Sequence, residues 1–178
     1  MHVSSDTARG ETGDQARTFE LLIEPLLEGA FGLAYSMLRD RGAAEDAVQE
    51  AAIKAWRGVE HLRSDASLRP WFFAIVANQC RDARRVRRPT FVGLGDAAEP
   101  IQGDHADQVV RDLDLERALA LLPPEQSALL FLRFHLDLPP SQIAAVLNWR
   151  VGTVKSRLHR TLRKLEAELE PSPTEMSP

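Results

Sequence analysis

An all-α fold of two small helical domains joined by a flexible acidic linker is predicted by three features of the sequence. Apolar residues recur at helical spacing over residues 18–88 and again over residues 109–168. The intervening residues 89–108 hold three glycines, two prolines and four acidic residues without any periodicity. Residues 1–17 and 169–178 are polar and unpatterned, so both are predicted to be disordered tails.

Composition excludes several classes of protein. The chain has 178 residues and a formal net charge of −4, and no apolar run reaches the roughly 18 uninterrupted residues of a membrane span. Its N-terminus lacks the charged and then apolar pattern of a signal peptide, so a cytoplasmic protein without membrane insertion is predicted. The single cysteine, Cys80, excludes an internal disulfide and a multi-cysteine zinc site. The histidines show no ligand spacing, and we expect neither a metal nor a cofactor.

Three helices are predicted in the first domain. The first runs from Phe19 to Leu38 and ends before Gly42, and the second runs from about Ala43 to Arg57. A third extends from about Leu68 to Arg85, with Cys80 as a small core residue. The residues predicted to face inward from this third helix are Leu68, Trp71, Phe72, Ile75, Val76 and Gln79.

The second predicted helix has an acidic stripe on its outer side. Asp46, Gln49, Glu50 and Ile53 stand at i, i+3, i+4 and i+7, which places them on one face. A solvated face would explain the acids, because exposed apolar residues such as one isoleucine are common on protein surfaces. A docking surface for a basic partner explains them equally, and both interpretations remain open from the pattern alone.

A basic cluster ends the third helix. The run RDARRVRR, residues 81–88, contains five arginines and one aspartate. The helix dipole favours cations at a C-terminus and accounts for one or two of them. Phosphate binding is the better explanation of five.

The second domain contains a helix with cations and no acid, VGTVKSRLHRTLRKL at residues 151–165. The apolar stripe predicted to be buried is Val151, Val154, Leu158, Leu162 and Leu165. The polar side and its margins carry Thr153, Lys155, Ser156, Arg157, His159, Arg160, Arg163 and Lys164. Arginines on such a face can pair with phosphates or with guanine edges.

The preceding segment, PPSQIAAVLNWR at residues 139–150, changes how this basic helix is interpreted. Pro140 suits the first turn of a short helix, and Ala144 is small where two helices must cross closely. Asn148 tolerates the left-handed conformation that ends a helix. A helix-turn-helix unit with its second helix in the DNA major groove is therefore predicted, with a plain αα corner as the alternative.

These segments together resemble a known family. EDAVQEAAIKAW (45–56) followed by RSDASLRPWFFAIVANQCRDARR (63–85) resembles region 2 of extracytoplasmic-function (ECF) sigma factors, within the sigma-70 family. Residues 118–165 are similar to region 4 of the same proteins. The resemblance implies a non-catalytic, promoter-specificity subunit of bacterial RNA polymerase that binds promoter DNA and promotes its melting.

The resemblance also implies roles for individual residues. Asp46, Gln49 and Glu50 would dock on the clamp helices of core polymerase beside an apolar contact from Ile53, and region 4 would meet the polymerase flap. The residues implied at the minus-ten element are Arg63, Ser64, Asp65, Trp71, Asn78, Arg81, Arg84 and Arg85. Those implied at the minus-35 element are Thr153, Lys155, Ser156, Arg157, His159 and Arg160. An anti-sigma factor that holds the protein inactive, at the membrane in some cases, is left open.

The turn departs from the family pattern. Asn148 stands where glycine is usual and Pro139 where a capping serine is common, while Trp149 and Arg150 replace an apolar residue and a proline. We expect the turn to form and its orientation against DNA to differ.

Two other functions compete with this interpretation. A transcription factor with a terminal helix-turn-helix would bind its site without polymerase, and would need neither the acidic stripe nor the arginine cluster. A helical-bundle metalloenzyme could use Glu45, Asp46, Glu50 and His61, although the chain has no Glu-x-x-His pair and its acids cluster on one helix.

Overall fold

The computed structural model describes residues 5–59, 67–87 and 121–169, with side chains over 17–59, 67–86 and 121–169. The chain divides into two compact units, Met1–Phe91 and Val92–Pro178. Within the described ranges every regular element is a helix, which confirms the predicted all-α fold of two helical domains. The predicted linker, residues 89–108, and residues 170–178 of the predicted tail lie outside the described residues.

The first unit contains three helices that pack against one another. They are α1 (Ser5–Leu38), α2 (Arg41–Gly58) and α3 (Leu68–Arg87). The buried face of α2 consists largely of alanine, which lets the neighbouring helices approach closely. The largest fully buried side chains of this unit are Leu33, Met37, Phe72, Phe73 and Val76.

A connection of two residues joins α1 to α2. Arg39 adopts a left-handed conformation, with φ of 52°, and its N–H donates to the Tyr35 carbonyl over 2.8 Å. Asp40 then caps α2. A left-handed residue after the last turn and a carboxylate before the next helix both satisfy backbone groups that would otherwise lack partners, so the chain can reverse abruptly.

Helix α1 begins earlier than the sequence pattern indicates. The structure carries it back to Ser5, whereas a disordered tail is predicted over residues 1–17. Residues 5–17 contain no proline, but Gly10 and Gly13 and several serine, threonine and aspartate residues disfavour a helix, and the apolar stripe on which the prediction depends is lacking.

The apolar part of α1 also has the length and composition of a membrane span. An 18-residue window within Arg17–Leu38 reaches a mean hydropathy of 1.3, although the segment contains no uninterrupted apolar run of that length. In the structure this segment packs against α2 and α3 and supplies the core of the first unit. The buried residues that it contributes are Ile23, Ala30, Leu33, Ala34 and Met37. Only 28% of the apolar window is buried, and Leu21, Leu22 and Leu27 are exposed, so packing in this unit accounts for one side of the segment.

The buried face of α3 differs from the predicted one. Phe73, Ala77 and Cys80 are buried together with the predicted Phe72 and Val76. The other residues predicted to face inward are only half-buried, namely Leu68, Trp71, Ile75 and Gln79. Because α3 contacts both α1 and α2, its buried sector is wider than a single stripe and is centred on Phe73, Val76 and Cys80. The prediction of Cys80 as a core residue is confirmed.

The described part of the second unit consists of short helices followed by a long one. These are α4 (Pro124–Leu130), which continues as a π-helical segment (Phe131–His135), then α5 (Pro140–Leu147) and α6 (Val151–Leu169). Helix α6 packs against both α4 and α5. The largest fully buried side chains here are Leu129, Leu132, Leu138, Ile143, Val146, Leu147 and Val154.

The buried stripe of α6 also needs correction. Val154 and Leu165 are buried and Leu158 is half-buried, as predicted, but Val151 and Leu162 are 42% and 36% exposed. Thr161 is buried instead, with 2% of its surface exposed. The contact line of α6 therefore passes through residues 154, 158, 161 and 165, and its last part meets a cluster that includes Leu122 and Leu130. A spacing of four, three and four residues fits a helix stripe as well as the predicted line does, so spacing alone could not choose between them.

Candidate functional site

The acidic face of α2, formed by Asp46, Gln49, Glu50 and Ile53, is exposed along its length. Ile53 keeps 44% of its surface accessible, although alanines on the opposite side of the helix are buried against α1 and α3. The neighbouring Glu45 is paired with Arg41 over 3.0 Å. Within the part of the chain that the structure describes, Asp46 and Glu50 form no ion pair. The face presents two carboxylates, an amide and an apolar side chain to a partner.

The outer side of α3 carries a line of polar and basic groups. The Asn78 Oδ1 atom accepts a hydrogen bond from Arg81 Nη1 at 2.7 Å, and Arg85 Nη2 donates to Asp82 Oδ1 over 3.0 Å. Arg84 on the same helix is half-buried. Exposed pairs of this kind contribute little to stability, so a phosphate can replace Asn78 or Asp82 as the acceptor at low cost.

The remaining residues implied at the minus-ten element fall into two groups. Arg63, Ser64 and Asp65 lie outside the described residues. Trp71 is half-buried, and its Cζ2 atom lies 3.4 Å from the position that a Cβ on Gly58 would occupy. A Cβ at Gly58 would therefore make only an ordinary contact with the indole, which lies beside the end of α2.

The predicted helix-turn-helix is present in the second unit. Pro140 opens α5, and Asn148 ends it in the left-handed conformation, with φ of 55° and ψ of 47°. The Trp149 N–H donates to the Ala144 carbonyl over 2.9 Å, which closes the turn. Pro139 holds the N-cap position without a side-chain hydrogen bond, so the usual capping contact is replaced by the fixed φ of two prolines. The turn forms in spite of its unusual residues.

The outward face of α6 is basic and accessible. Lys155, Ser156, His159 and Arg160 are exposed, and Thr153 is half-buried. Ser156 Oγ donates to the Thr153 carbonyl at 3.1 Å, and Arg160 Nε donates to the Ser156 carbonyl at 3.3 Å. A side chain added at Gly152 would meet nothing within 4 Å, so the first turn of the helix is uncovered in this unit.

Arg157 differs from the other five residues implied at the minus-35 element. Its guanidinium carbon lies over the Trp149 ring, 4.2 Å from the ring centroid. Its Nη1 atom is 3.4 Å from Glu125 Oε2 on α4. The side chain is therefore engaged inside the unit, whereas Lys155 and Arg160 extend along the surface.

Three features of these surfaces are not among the predictions made from the sequence. Asp40 caps α2, and the residue type just before an apolar periodic segment could have indicated it. Phe131 and His135 stack at 4.6 Å in the π-helical segment, beside Phe134, which is 62% exposed. The contact between Arg157 and Glu125 joins residues 32 apart in sequence, a distance at which no local pattern operates.

The acids of α2 belong to no metal-binding cluster among the described residues. The His61 of the predicted alternative lies outside the described residues. Among the residues that the structure describes, no group of three or more His, Cys, Asp and Glu side chains could hold a metal ion. The thiol of Cys80 is buried, and burial raises its pKa to about 12, although Arg81 and Arg84 oppose this shift.

Comparison with family models identifies both units. The model of sigma-70 region 2 matches residues 22–90, and the model of sigma-70 region 4 matches residues 112–165. The chain belongs to the sigma-70 family. It is a sigma factor of the ECF type, which confirms the resemblance seen in its sequence, and its function is promoter recognition and transcription initiation with RNA polymerase.

Several known sigma factors are similar to this one over most of its length. The RNA polymerase sigma-H factor of Pseudomonas aeruginosa is 30% identical over 177 residues, which cover 92% of this chain and 91% of that protein. The ECF RNA polymerase sigma factor SigL of Mycobacterium tuberculosis is 34% identical over 142 residues, 77% of this chain and 80% of SigL. The sigma factor RpoE of Bartonella quintana, solved in complex with the anti-sigma factor NepR, has a TM-score of 0.72 and 25% identity. That likeness covers 86% of this chain and 98% of RpoE.

Proposed function

We propose that this sigma factor docks on core RNA polymerase through the acidic face of α2 and reads DNA with α3 and α6. The observation that carries this proposal is the exposure of Asp46, Gln49, Glu50 and Ile53 on one side of a helix whose opposite side is packed alanine. A DNA-binding protein that worked without polymerase would have no need of an anionic face in the same unit as its basic helix end. Region 4 meets the polymerase flap. The chain is a specificity subunit without catalytic residues, and it works in the cytoplasm.

The clamp helices of core polymerase are the proposed partner of α2. Two carboxylates favour a basic surface by attraction at long range, and Ile53 supplies an apolar contact at its centre. Polar rims around a buried apolar anchor are typical of protein interfaces. We expect both kinds of contact to matter, with the charges governing association and Ile53 governing the lifetime of the complex.

The minus-ten element is the proposed ligand of the α3 surface. Arg81, Arg84 and Arg85 bind the DNA backbone, and Asn78 contributes a polar contact beside them. Arg63, Ser64 and Asp65 of the preceding loop, with Trp71 behind it, receive an unstacked base. Extruding a base costs a few kcal/mol, so a protein that binds the extruded base favours melted DNA without covalent chemistry.

The minus-35 element is the proposed ligand of α6. Lys155, Ser156, His159 and Arg160 project from the second and third turns of the helix, where a recognition helix meets base edges. Thr153 lies at its N-terminal end, close to the phosphates. Arg157 belongs to the same surface by motif position, but its contacts with Trp149 and Glu125 distinguish it from this group.

An anti-sigma factor is proposed as a further partner. The Bartonella RpoE with which this chain shares its fold was solved bound to one. A protein that covers the acidic face of α2 would block the polymerase and keep the sigma factor inactive. Where that inhibitor is a membrane protein, the sigma factor is held at the membrane without inserting into it.

Co-elution with bacterial core RNA polymerase tests the docking face. The wild-type chain is compared with an Asp46→Arg, Glu50→Arg variant, and with a Glu24→Arg, Glu28→Arg variant as the matched control. Both variants change the formal charge equally, and all four acids are exposed on helices of the same unit. We expect the wild type and the control to co-elute with core and the α2 variant to be lost from the complex.

Two results would contradict this assignment. Equal retention of all three proteins would remove the docking role from α2. Failure of the wild type to bind core while it still binds DNA would favour an independent transcription factor.

Salt dependence of promoter binding tests the DNA role of α6. Arg160→Gln should weaken binding of the holoenzyme and, if Arg160 contacts a phosphate, lower the slope of log K against log salt concentration by about one. Lost discrimination at one base pair with an unchanged slope would instead make Arg160 a base contact. An unchanged affinity would exclude both roles.

A further inference from the structure

The side chain of Arg157 contacts residues from two other parts of the second unit. Arg157 projects from α6, Trp149 lies in the turn between α5 and α6, and Glu125 lies in the first turn of α4. The guanidinium stacks over the indole at 4.2 Å and reaches the carboxylate at 3.4 Å. The backbone of Trp149 is fixed, because its N–H donates to the Ala144 carbonyl in the last turn of α5.

The contact with Trp149 is the stronger of the two. Arg157 and Glu125 keep 39% and 38% of their side-chain surface, and a single ion pair at 3.4 Å in that setting is weak. A guanidinium directly over an indole gains from the electrostatics of the ring and from flat stacking, and tryptophan is the best aromatic partner for a cation. Arg157 is therefore held mainly by Trp149 in the turn, and Glu125 orients the N–H groups of the guanidinium.

This arrangement conflicts with a phosphate contact. A guanidinium has five N–H donors in one plane, but the Arg157 guanidinium already lies against the Trp149 ring and one of its edges faces Glu125. Arg160, by contrast, makes only a hydrogen bond of 3.3 Å to the backbone of its own helix. To reach a phosphate, Arg157 would have to break its contacts with Trp149 and Glu125, whereas Arg160 would have to break one hydrogen bond to its own helix.

We propose that Arg157, held between Trp149 and Glu125, is a positioning residue that sets the angle at which α6 enters the major groove, and so determines which base edges its outward face can reach. The inference rests on the proposed role of α6 at the minus-35 element. It also gives the unusual Trp149 a function, because leucine or valine in the turn could not hold a guanidinium by stacking. The turn chemistry and the reading of DNA are thereby coupled.

A selection experiment with the holoenzyme tests this proposal. Core polymerase bearing the full wild-type chain selects promoters from a DNA library randomised at both elements. The recovered minus-35 preference is then compared with that of Arg157→Lys, Arg157→Gln and Trp149→Leu. Arg160→Gln is the comparator on the same helix, and binding to the recovered promoter is measured over a range of salt concentrations.

We expect Arg157→Lys and Arg157→Gln to behave alike. Lysine keeps the charge but cannot stack as a plane or present a fork, so it should not rescue a positioning role. Each should reduce the preference for the selected minus-35 element about fivefold. The slope of log K against log salt concentration should change by much less than one. Trp149→Leu should have the same effect, and combining it with Arg157→Gln should add little.

A spectroscopic measurement checks the geometry in the free protein. The chain has three tryptophans, and Trp56→Phe with Trp71→Phe leaves Trp149 as the single indole. Arg157→Gln in that background should shift the Trp149 emission, while Arg160→Gln should leave it unchanged. A variant that fails to fold would lose its helical circular dichroism, and Arg157→Lys and Trp149→Leu then carry the test.

Three results would overturn the proposal. Rescue by lysine, together with a slope lowered by about one in Arg157→Gln, would make Arg157 a phosphate contact. Wild-type preference in all three variants, or Trp149 emission that is insensitive to Arg157, would show that the stack positions nothing. If the wild-type holoenzyme selected minus-ten but no minus-35 sequence, the proposed role of α6 would fail first, and the inference with it.

Discussion

The Oδ1 atom of Asp40 accepts a hydrogen bond of 2.7 Å from the backbone N–H of Ala43 at the start of α2. This bond satisfies one of the N–H groups that the first turn of a helix leaves without a partner. Since α2 carries the acidic face, the cap contributes to how that face is held.

Replacing Asp40 with alanine should destabilise the first unit. We expect a loss of about 1 kcal/mol, the usual cost of removing an N-cap side chain, while Asp40→Asn should lose much less because its oxygen can still accept. Urea unfolding monitored by circular dichroism measures the difference. Equal stability of the alanine and asparagine variants with wild type would mean that the cap contributes nothing.

Substitutions at Asn148 should separate backbone strain from side-chain chemistry. With φ of 55°, the residue occupies a region that glycine enters freely and β-branched residues avoid. Asn148→Gly should therefore be close to neutral, and Asn148→Val should cost about 1 to 2 kcal/mol. Thermal unfolding of the two variants provides the test. A valine variant as stable as wild type would show that the turn can relax out of the left-handed region.

Removing the hydroxyl of Thr161 should stabilise the second unit. Its Oγ1 atom is buried and has no hydrogen-bond partner among the described residues, a condition that costs about 1 to 3 kcal/mol for such a group. Thr161→Val keeps the shape, so we expect a higher melting temperature, and Thr161→Ser should lower it by leaving the hydroxyl and losing a methyl group. The idea fails if valine destabilises the protein as much as serine does.

The thiol of Cys80 should be unreactive in the folded protein. Burial raises its pKa from 9.0 to about 12, so at pH 8 the folded chain holds roughly a thousandfold less thiolate than the unfolded chain. A disulfide reagent should therefore label one thiol per chain in urea and almost none in buffer. Rapid labelling in buffer would show that the helix opens locally.

The same shift predicts how stability depends on pH. The folded state holds the Cys80 proton more tightly than the unfolded state, so this contribution is complete below pH 9. It is lost as the pH rises from about 9 toward 12. Cys80→Ala should flatten that part of the stability profile, and an unchanged slope in the variant would assign the alkaline loss to other groups.

The helices and the turn were predictable because they depend on local spacing and on single residues with special backbone preferences. Pro140 and Asn148 set the limits of α5 by themselves, and the exposed face of α2 follows from periodicity. The start of α1 at Ser5 was not predictable, since residues 5–17 lack an apolar stripe and include Gly10 and Gly13.

The position of each buried stripe was less predictable than the existence of its helix. On α6 the line through Thr161 and the predicted line through Leu162 differ by one residue, and only the packing against Leu122 and Leu130 decides between them. The role of Arg157 was beyond sequence reasoning for the same reason. Its partners are a turn residue 8 positions away and a carboxylate 32 positions away, which become neighbours only in the folded unit.

The two-residue connection at Arg39 and Asp40 also bears on how quickly the first unit folds. In that unit α1 pairs with α2 and α2 with α3, so most contacts join elements adjacent in the chain, and helical domains of this topology fold in microseconds to milliseconds. A ribosome adds at most about 20 residues per second, so residues 92–178 take at least about 4 seconds to synthesise. We therefore expect the acidic face of α2 and the basic side of α3 to be complete while α6 is still being translated.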